Sequence, residues 1–122
     1  MSAASLVRSQ WYEAVRVFFE RYDFWILPTA QLFPFYLALD WPREIAGREL
    51  ETYHEWMKVV LPVTMSGYPV VAAPAGFGAN GLPIGVQIVA RNRAERDCLE
   101  LAHAYVRRIG WVTMRPPTLL GV

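Results

Sequence analysis

Cysteine and lysine are almost absent from this 122-residue chain, since each occurs only once, as Cys98 and Lys58. A single cysteine cannot form an internal disulfide, so the composition gives no indication of an oxidising compartment. The first ten residues are polar and are interrupted by Arg8, which is unlike the apolar centre of a signal peptide. We therefore predict a cytoplasmic protein.

Charged residues are also scarce, at 19% of the chain against about 25% in an average globular domain. Twelve basic and eleven acidic side chains leave a net charge of +1. The chain therefore lacks the excess of positive charge that is typical of proteins that bind DNA or RNA. The two histidines, His54 and His103, have no metal-site spacing to other ligands. We predict no nucleic-acid partner, no metal and no cofactor.

Apolar residues, in contrast, make up 54% of the chain, which excludes a disordered protein. The length fits a single domain spanning 1–122. Residues 59–90 contain no charged side chain, but prolines and glycines interrupt them every few positions, so they are predicted to form core structure and not a membrane span. A domain of this size has little interior, and part of its apolar surface is therefore predicted to be covered by something else.

Periodicity predicts three helices: one over 4–22, one over 49–61, and a last helix that starts at Asn92 and stops at Gly110. Pro62 is predicted to end the second helix, and Gly110 the third. Asn92 and Glu95 have the spacing of a capping box at the start of the third helix. The remaining residues, 111–122, are predicted to be an extended tail.

Three segments are predicted to be strands: 24–27 (FWIL), 70–73 and 84–89. The FWIL run is typical of a strand that is buried on both faces. Asn80-Gly81 favours a hairpin between the second and third strands. The fold class is therefore α/β, with a mixed sheet of at least three strands, a hairpin at about 70–90 and three main helices. The long irregular segment at 29–47 is predicted to be functional or packed against something else.

Two motifs point to chemistry that their context does not support. Gly76, Gly78 and Gly81 spell G-x-G-x-x-G, but a strand follows instead of the helix that a dinucleotide site requires, so the glycines are assigned to hairpin geometry. Ser66 and Lys58 could be written as a catalytic dyad, yet Ser66 has only Gly67 beside it to build an oxyanion site.

The more economical interpretation is that Ser66 hydrogen-bonds a turn and that Lys58 is solvated at a helix end. Cys98 and His103 lie five residues apart on a predicted helix and so point to different sides. They are predicted to be a small buried residue and a surface residue.

Three stretches together resemble the C-terminal part of an amidase signature family enzyme. They are FERYDFWILPT at 19–29, MSGYPVVAAPAGFGANGLPIGVQIVAR at 65–91, and ERDCLELAHAYVRRIG at 95–110. The middle stretch is the most specific, because it follows the family's order of a Thr-Gly-x-Pro turn, a strand ending in Val-Pro-x-Gly-Phe, and Gly-Leu-Pro-x-Gly-x-Gln. Ser66 stands where the family has Thr, and Thr64 where it commonly has Asn.

The resemblance implies hydrolysis of carboxamide C–N bonds by a Ser, cis-Ser and Lys triad. The Gly- and Ser-rich signature that carries this triad is not found in the chain, and Lys58 lies in the wrong region. The resemblance therefore implies a C-terminal fragment without catalytic residues, inactive alone, whose partners are a small-molecule amide substrate and the missing N-terminal half. It also places four residues at the acyl side of the substrate pocket: His54, Met57, Leu61 and Thr64.

The alternative is a non-catalytic module that buries its apolar surface by self-association, as a homo-oligomer, or by binding a partner. A third idea, attachment to a membrane surface through 33–41, has little support because that loop is nearly devoid of basic residues. On the fragment hypothesis, exposed apolar surface is expected in the FWIL strand, in the irregular segment 29–47, called the aromatic loop below, and in the uncharged span 59–90.

Overall fold

The computed structural model describes residues 2–110, so the predicted tail at 111–122 lies outside the described residues. The elements are α1 (Ala3–Phe18), β1 (Phe24–Pro28), β2 (Glu44–Ile45), β3 (Arg48–Glu49), a 3-10 helix (Tyr53–Met57), α2 (Leu61–Ser66), β4 (Val70–Phe77), β5 (Pro83–Ala90) and α3 (Glu95–Ile109). Three α-helices and a three-stranded sheet confirm the predicted α/β class.

The main sheet has the strand order β1-β5-β4, and both pairings are antiparallel. Ile88 at the centre of β5 lies opposite Ile26 on one side and Val71 on the other. The β4-β5 hairpin confirms the prediction from Asn80-Gly81. Gly81 has φ 75°, a conformation that favours glycine, and its N–H donates to the Gly78 carbonyl at 2.9 Å. The glycines therefore serve hairpin geometry, as expected.

The prediction that the FWIL strand is buried on both faces was wrong. Within the described residues β1 pairs only with β5 and forms an edge of the sheet. Ile26 is 55% exposed, because α3 packs mainly on β4 and β5 and leaves this face of β1 uncovered. A continuous apolar run is compatible with a buried strand, but the layers that pack on its two faces decide its burial.

Helix α1 is shorter than predicted and less buried. Ser2 caps its start, because the Ser2 Oγ accepts a hydrogen bond from the Ser5 N–H at 3.2 Å. The helix ends at Phe18, four residues before Tyr22. Val15 is the one residue of α1 that is buried, so most of the helix's apolar side chains are partly or fully exposed.

The start of α3 also differs from the prediction. Asn92 is not its cap, because the Asn92 Nδ2 donates instead to the hydroxyl of Tyr12 at 3.0 Å. The helix begins only at Glu95, after Arg93 adopts a positive φ of 63°. Gly110 ends it in the left-handed conformation, as predicted.

Helix α3 packs on the sheet through Cys98 and Ala102, with Val106 partly buried. The neighbouring residue Leu99 is 60% exposed. Cys98 therefore faces the sheet and Leu99 faces away from it.

The core is divided by strand β5 into two small clusters. On one face of β5, Ile88 packs with Cys98 of α3. On the other face, Val89 packs with Val15 of α1 and Val63 of α2. Alternating side chains of a strand point to opposite faces, which explains the division. Within residues 2–110 no leucine, methionine, phenylalanine or tryptophan is fully buried.

Exposed apolar side chains lie where the fragment hypothesis expects them, in β1, in the aromatic loop and in the span 59–90. They include Ile26, Phe33, Tyr36, Leu37, Met65 and Val70. Others were not expected, since Val7 of α1 and Leu99 of α3 are also exposed. The uncovered surface therefore includes the helices as well as the sheet.

The stability of the cluster around Val89 depends on pH through Tyr68, which belongs to that cluster. Its ring stacks on Phe19 with centroids 5.3 Å apart, and burial, with a smaller contribution from Tyr12, raises the pKa of Tyr68 to about 12. The pKa of an unfolded tyrosine is about 10. The folded state therefore disfavours the phenolate, so stability is intact below pH 10 and falls as the pH rises from 10 to 12.

We expect urea midpoints of the wild type to fall over this pH range and those of Tyr68→Phe to fall less. Tyr22→Phe is the control, because Tyr22 is 51% exposed. Parallel curves for wild type and Tyr68→Phe would contradict the assignment.

Candidate functional site

A cleft of about 630 Å³ lies at the end of the hairpin, between the sheet and the aromatic loop. Its size is within the range of ligand pockets, roughly 300–1,000 Å³. Its floor is made of small residues at the end of the sheet: Thr29, Ala72, Ala73, Pro74 and Gly85. The walls are Leu32, Phe33, Pro34, Phe35, Trp56, Pro83 and Ile84. The result is an apolar depression with one side-chain hydroxyl at its base.

The floor is held by hydrogen bonds between β1 and β5. The Thr29 N–H and the Thr29 Oγ1 both donate to the Gly85 carbonyl, each at 3.0 Å. The Gln87 Nε2 donates to the Pro28 carbonyl at 2.7 Å. With its proton directed at Gly85, the Thr29 hydroxyl keeps lone pairs that can accept a hydrogen bond from a ligand.

Trp56 forms one wall of the cleft from the 3-10 helix. Its ring meets Phe35 edge-to-face, with centroids 5.7 Å apart, and Tyr53 in the same way at 6.0 Å. Its Nε1 is buried and has no hydrogen-bond partner among the described residues. Such an unpaired donor costs about 1–3 kcal/mol, so Trp56 occupies this wall at a local energetic cost.

Phe33 forms the opposite wall and packs on the backbone of Gly78. A Cβ added to Gly78 would lie 2.8 Å from the Phe33 Cδ1 and 2.9 Å from its Cε1, closer than carbon atoms approach one another. Glycine at position 78 therefore allows the ring to lie where it lines the cleft.

Gly78→Ala is expected to displace the Phe33 ring and to lower the free energy of unfolding by about 1 kcal/mol, as in modest overpacking. Chemical shifts of the Phe33 ring and urea denaturation measure the two effects. Ala79→Ser, at the exposed next position of the turn, is the control. Unchanged Phe33 shifts in Gly78→Ala would contradict the contact.

The helix predicted at 49–61 is not continuous, which separates the four predicted site residues. His54 and Met57 lie on the 3-10 helix, whereas Leu61 and Thr64 lie on α2. Pro62 does not end a helix but stands in the first turn of α2, where a missing N–H costs nothing. The four residues therefore do not lie on one continuous helix.

His54, Met57 and Thr64 line neither the cleft under the aromatic loop nor the groove beside α1. Leu61 lines this groove, which has a volume of about 530 Å³ and is separate from the cleft under the aromatic loop. His54 and Thr64 are exposed and Met57 is half-buried. Their role in substrate binding stays a prediction.

Ser66 makes the turn hydrogen bonds that its sequence context predicted. Its Oγ donates to the Val63 carbonyl at 2.6 Å and accepts from the Tyr68 N–H at 3.3 Å. Gly67 follows in the left-handed conformation, with φ 72°. Lys58 is exposed at the end of the 3-10 helix, and no contact between the two side chains is formed.

Cys98 and His103 also lie as expected. Cys98 is buried, its Sγ donates to the Ile88 carbonyl at 3.0 Å, and burial raises the pKa of the thiol. His103 is exposed. Across residues 2–110 no cluster of three or more side chains could hold a metal ion. In the same residues no helix is long and apolar enough to cross a membrane.

A layered α/β domain with an apolar cleft at one end of its sheet is typical of proteins that bind or transform small molecules. The family model described as Amidase matches residues 1–99. The chain belongs to the amidase family.

Curated relatives from several bacteria are described as the A subunit of glutamyl-tRNA(Gln) amidotransferase. The Moorella thermoacetica protein is 35% identical over 104 residues, which cover 85% of this chain and 20% of that protein. The Thermodesulfovibrio yellowstonii protein is 32% identical over 100 residues, with coverages of 80% and 19%. The Ralstonia nicotianae protein is 45% identical over 56 residues, with coverages of 46% and 11%. The chain spans a fifth or less of the length of these relatives.

A solved structure has a similar fold. It is a bacterial aryl acylamidase of the amidase signature enzyme family, with a TM-score of 0.77 and 27% sequence identity. The match covers 92% of this chain and 24% of that one. The predicted amidase signature fold is therefore confirmed.

Proposed function

We propose that this chain is the C-terminal part of an amidase signature domain that hydrolyses carboxamide C–N bonds, with 1–122 forming one structural unit. In this role it supplies late strands, covering helices and a wall of the substrate pocket. The catalytic serines and lysine come from a preceding portion of the domain. The family match over residues 1–99 supports the amidase assignment, and the motifs at 65–91 support the C-terminal position within the domain.

The contacts of Ser66 and Lys58 support a non-catalytic role for this chain. A serine nucleophile needs a base within about 2.6–3.2 Å and backbone donors for the oxyanion. The Ser66 proton is instead directed at the Val63 carbonyl, and the side chain is 2% exposed. An oxygen whose proton is engaged and whose residue is almost fully buried is poorly placed to attack a substrate carbonyl.

The cleft favours an amide that carries an aryl group. Its walls include Phe33, Phe35 and Trp56, and aromatic rings of this kind pack edge-to-face or offset on a bound ring. The Thr29 hydroxyl can accept a hydrogen bond from the amide N–H of such a ligand. The fold relative that is an aryl acylamidase agrees with this substrate class.

The four residues named from the family resemblance keep a place in the proposal. His54, Met57, Leu61 and Thr64 would face the acyl side of the substrate in the complete domain. His54 and Thr64 are exposed in the chain alone, so they are available to be covered by substrate or by the rest of the domain. A cytoplasmic location likewise stays a prediction.

The test is an aryl amide whose product is coloured, such as a p-nitroanilide, offered to the purified chain. We expect no p-nitroaniline release. We also expect the indole N–H signal of Trp56 to shift as the amide is added, and Phe33→Ala to weaken this binding several-fold. Leu37→Ala is the matched control, because Leu37 is fully exposed on the same loop and does not line the cleft.

Product release that is lost in Ser66→Ala would overturn the non-catalytic role. Equal binding by wild type and Phe33→Ala would overturn the assignment of the cleft. The alternative function, a self-associating or partner-binding module, is favoured by the uncovered apolar face of α1. A defined dimer that buries more than about 1,000 Å² would support it.

A further inference from the structure

A continuous apolar stripe runs along one face of α1. Ala4, Val7, Trp11, Ala14 and Phe18 are spaced by alternating steps of three and four residues, which is the spacing that lets one helix pack along another. Val7 is 63% exposed, Ala4 and Ala14 are exposed, and Trp11 and Phe18 are half-buried. A stripe of this kind on a soluble helix is normally covered.

The stripe forms the floor of two adjoining grooves that share Trp11. One, of about 530 Å³, lies against Leu61, Pro62 and Met65 of α2. The other, of about 350 Å³, continues to Phe18 and Trp25. Together they extend along α1, about 24 Å for its 16 residues, which suits a helix and not a compact small molecule.

Trp11 is held rigidly at the junction of the two grooves. Its Nε1 donates to the Pro62 carbonyl at 2.7 Å, and its ring meets Trp25 edge-to-face with centroids 6.2 Å apart. Ala4 and Ala14 flank it with small side chains. The surface is thus preorganised, with a fixed ridge and two hollows that larger side chains of a partner would fill.

The charges at one end of the groove indicate the partner's chemistry. Arg8 and Lys58 both line the groove beside α2. The Arg8 Nε donates to the Met65 carbonyl at 3.3 Å, which holds the guanidinium at the rim. Within residues 2–110 neither side chain forms an ion pair. Two unneutralised cations beside an apolar groove complement carboxylates.

We propose that the α1 groove docks an amphipathic helix of a partner polypeptide, with apolar residues at heptad spacing and acidic residues where it passes Arg8 and Lys58. The partner helix would insert its apolar side chains on either side of Trp11. This surface is distinct from the cleft under the aromatic loop and does not depend on the proposed function.

The probe is a designed helical peptide of about 18 residues, long enough to follow α1. It has leucines at heptad spacing and glutamates at the end that meets the two cations. A second peptide is identical except that lysines replace the glutamates. We expect the glutamate peptide to bind at least about tenfold more tightly at low salt, a difference of about 1.4 kcal/mol, and to shift the indole N–H signal of Trp11.

Val7→Asp is expected to abolish binding of both peptides, while Leu99→Asp, at a similarly exposed position on α3, is expected to bind as wild type does. The double variant Arg8→Gln, Lys58→Gln should lose the preference for glutamate. Equal binding of the two peptides by wild type would overturn the proposed chemistry, and binding that survives Val7→Asp would overturn the location.

Two other occupants are distinguished by the same variants. A wild-type dimer in sedimentation that becomes monomeric in Val7→Asp would show that a second copy fills the groove, and the proposal of a partner helix would fail. Binding to phosphatidylglycerol vesicles that is lost in Val7→Asp, without binding of either peptide, would overturn it in favour of a membrane surface.

Discussion

Replacing Ile88 with alanine is expected to lower the free energy of unfolding by about 3 kcal/mol, within the range of about 2–5 kcal/mol for truncating a buried isoleucine. Ile88 is 1% exposed at the centre of the middle strand. It packs in one cluster with Ala73, Cys98 and Ala102 and is the largest fully buried side chain of that cluster. Its truncation therefore leaves a cavity at the centre of the contact between the sheet and α3.

Urea denaturation followed by far-UV circular dichroism measures this loss. Leu99→Ala removes a comparable volume from a position that is 60% exposed, and it should change stability by less than about 0.5 kcal/mol. A similar small loss for Ile88→Ala would show that the sheet and α3 do not form the stable centre of the chain.

Ser66→Ala is expected to lower the free energy of unfolding by about 1–3 kcal/mol, because it leaves the buried N–H of Tyr68 without its acceptor. The Ser66 side chain is 2% exposed and bridges the Val63 carbonyl and the Tyr68 N–H. Water has little access to either group. The loss therefore comes from an unsatisfied donor and acceptor at the end of α2.

Ser66→Thr is the informative control, since threonine keeps the hydroxyl and is the residue that the family pattern has in this turn. We expect it to retain most of the wild-type stability. Equal urea midpoints for Ser66→Ala and wild type would contradict the bridging role. A large loss in Ser66→Thr would mean that the site has no room for the additional methyl group.

The features of the fold that sequence predicted well are those with a local physical cause. Asn80-Gly81 specifies a tight turn by its tolerance of positive φ, and the hairpin follows from it. Gly110 ends α3 for the same reason. The FWIL run predicted a strand correctly, because that preference is carried by the side chains themselves.

The features that were predicted wrongly depend on tertiary contacts or on a choice between two local rules. Pro62 can end one helix or stand in the first turn of the next, and the chain adopts the second. Asn92 has capping-box spacing, but its amide binds the Tyr12 hydroxyl on a distant helix. The edge position of β1 follows from strand order, which local sequence does not encode.

The candidate cleft was not predicted because its parts are distant in sequence. Thr29, Phe33, Trp56, Ala72 and Gly85 belong to different segments and meet only in the folded chain. Two signals pointed toward it. The irregular segment 29–47 was too long and too aromatic for a simple connection, and Gly78 and Gly85 marked positions of close backbone approach.

We propose that this chain contributes a wall of the substrate pocket, but no catalytic group, to an amidase. The decisive experiment adds an aryl p-nitroanilide to the purified chain and records p-nitroaniline absorbance and the Trp56 indole N–H signal in the same sample. We expect saturable movement of the Trp56 signal, weakened by Phe33→Ala, with no product. Product formation that disappears in Ser66→Ala, or no response of Trp56 at any amide concentration, would contradict it.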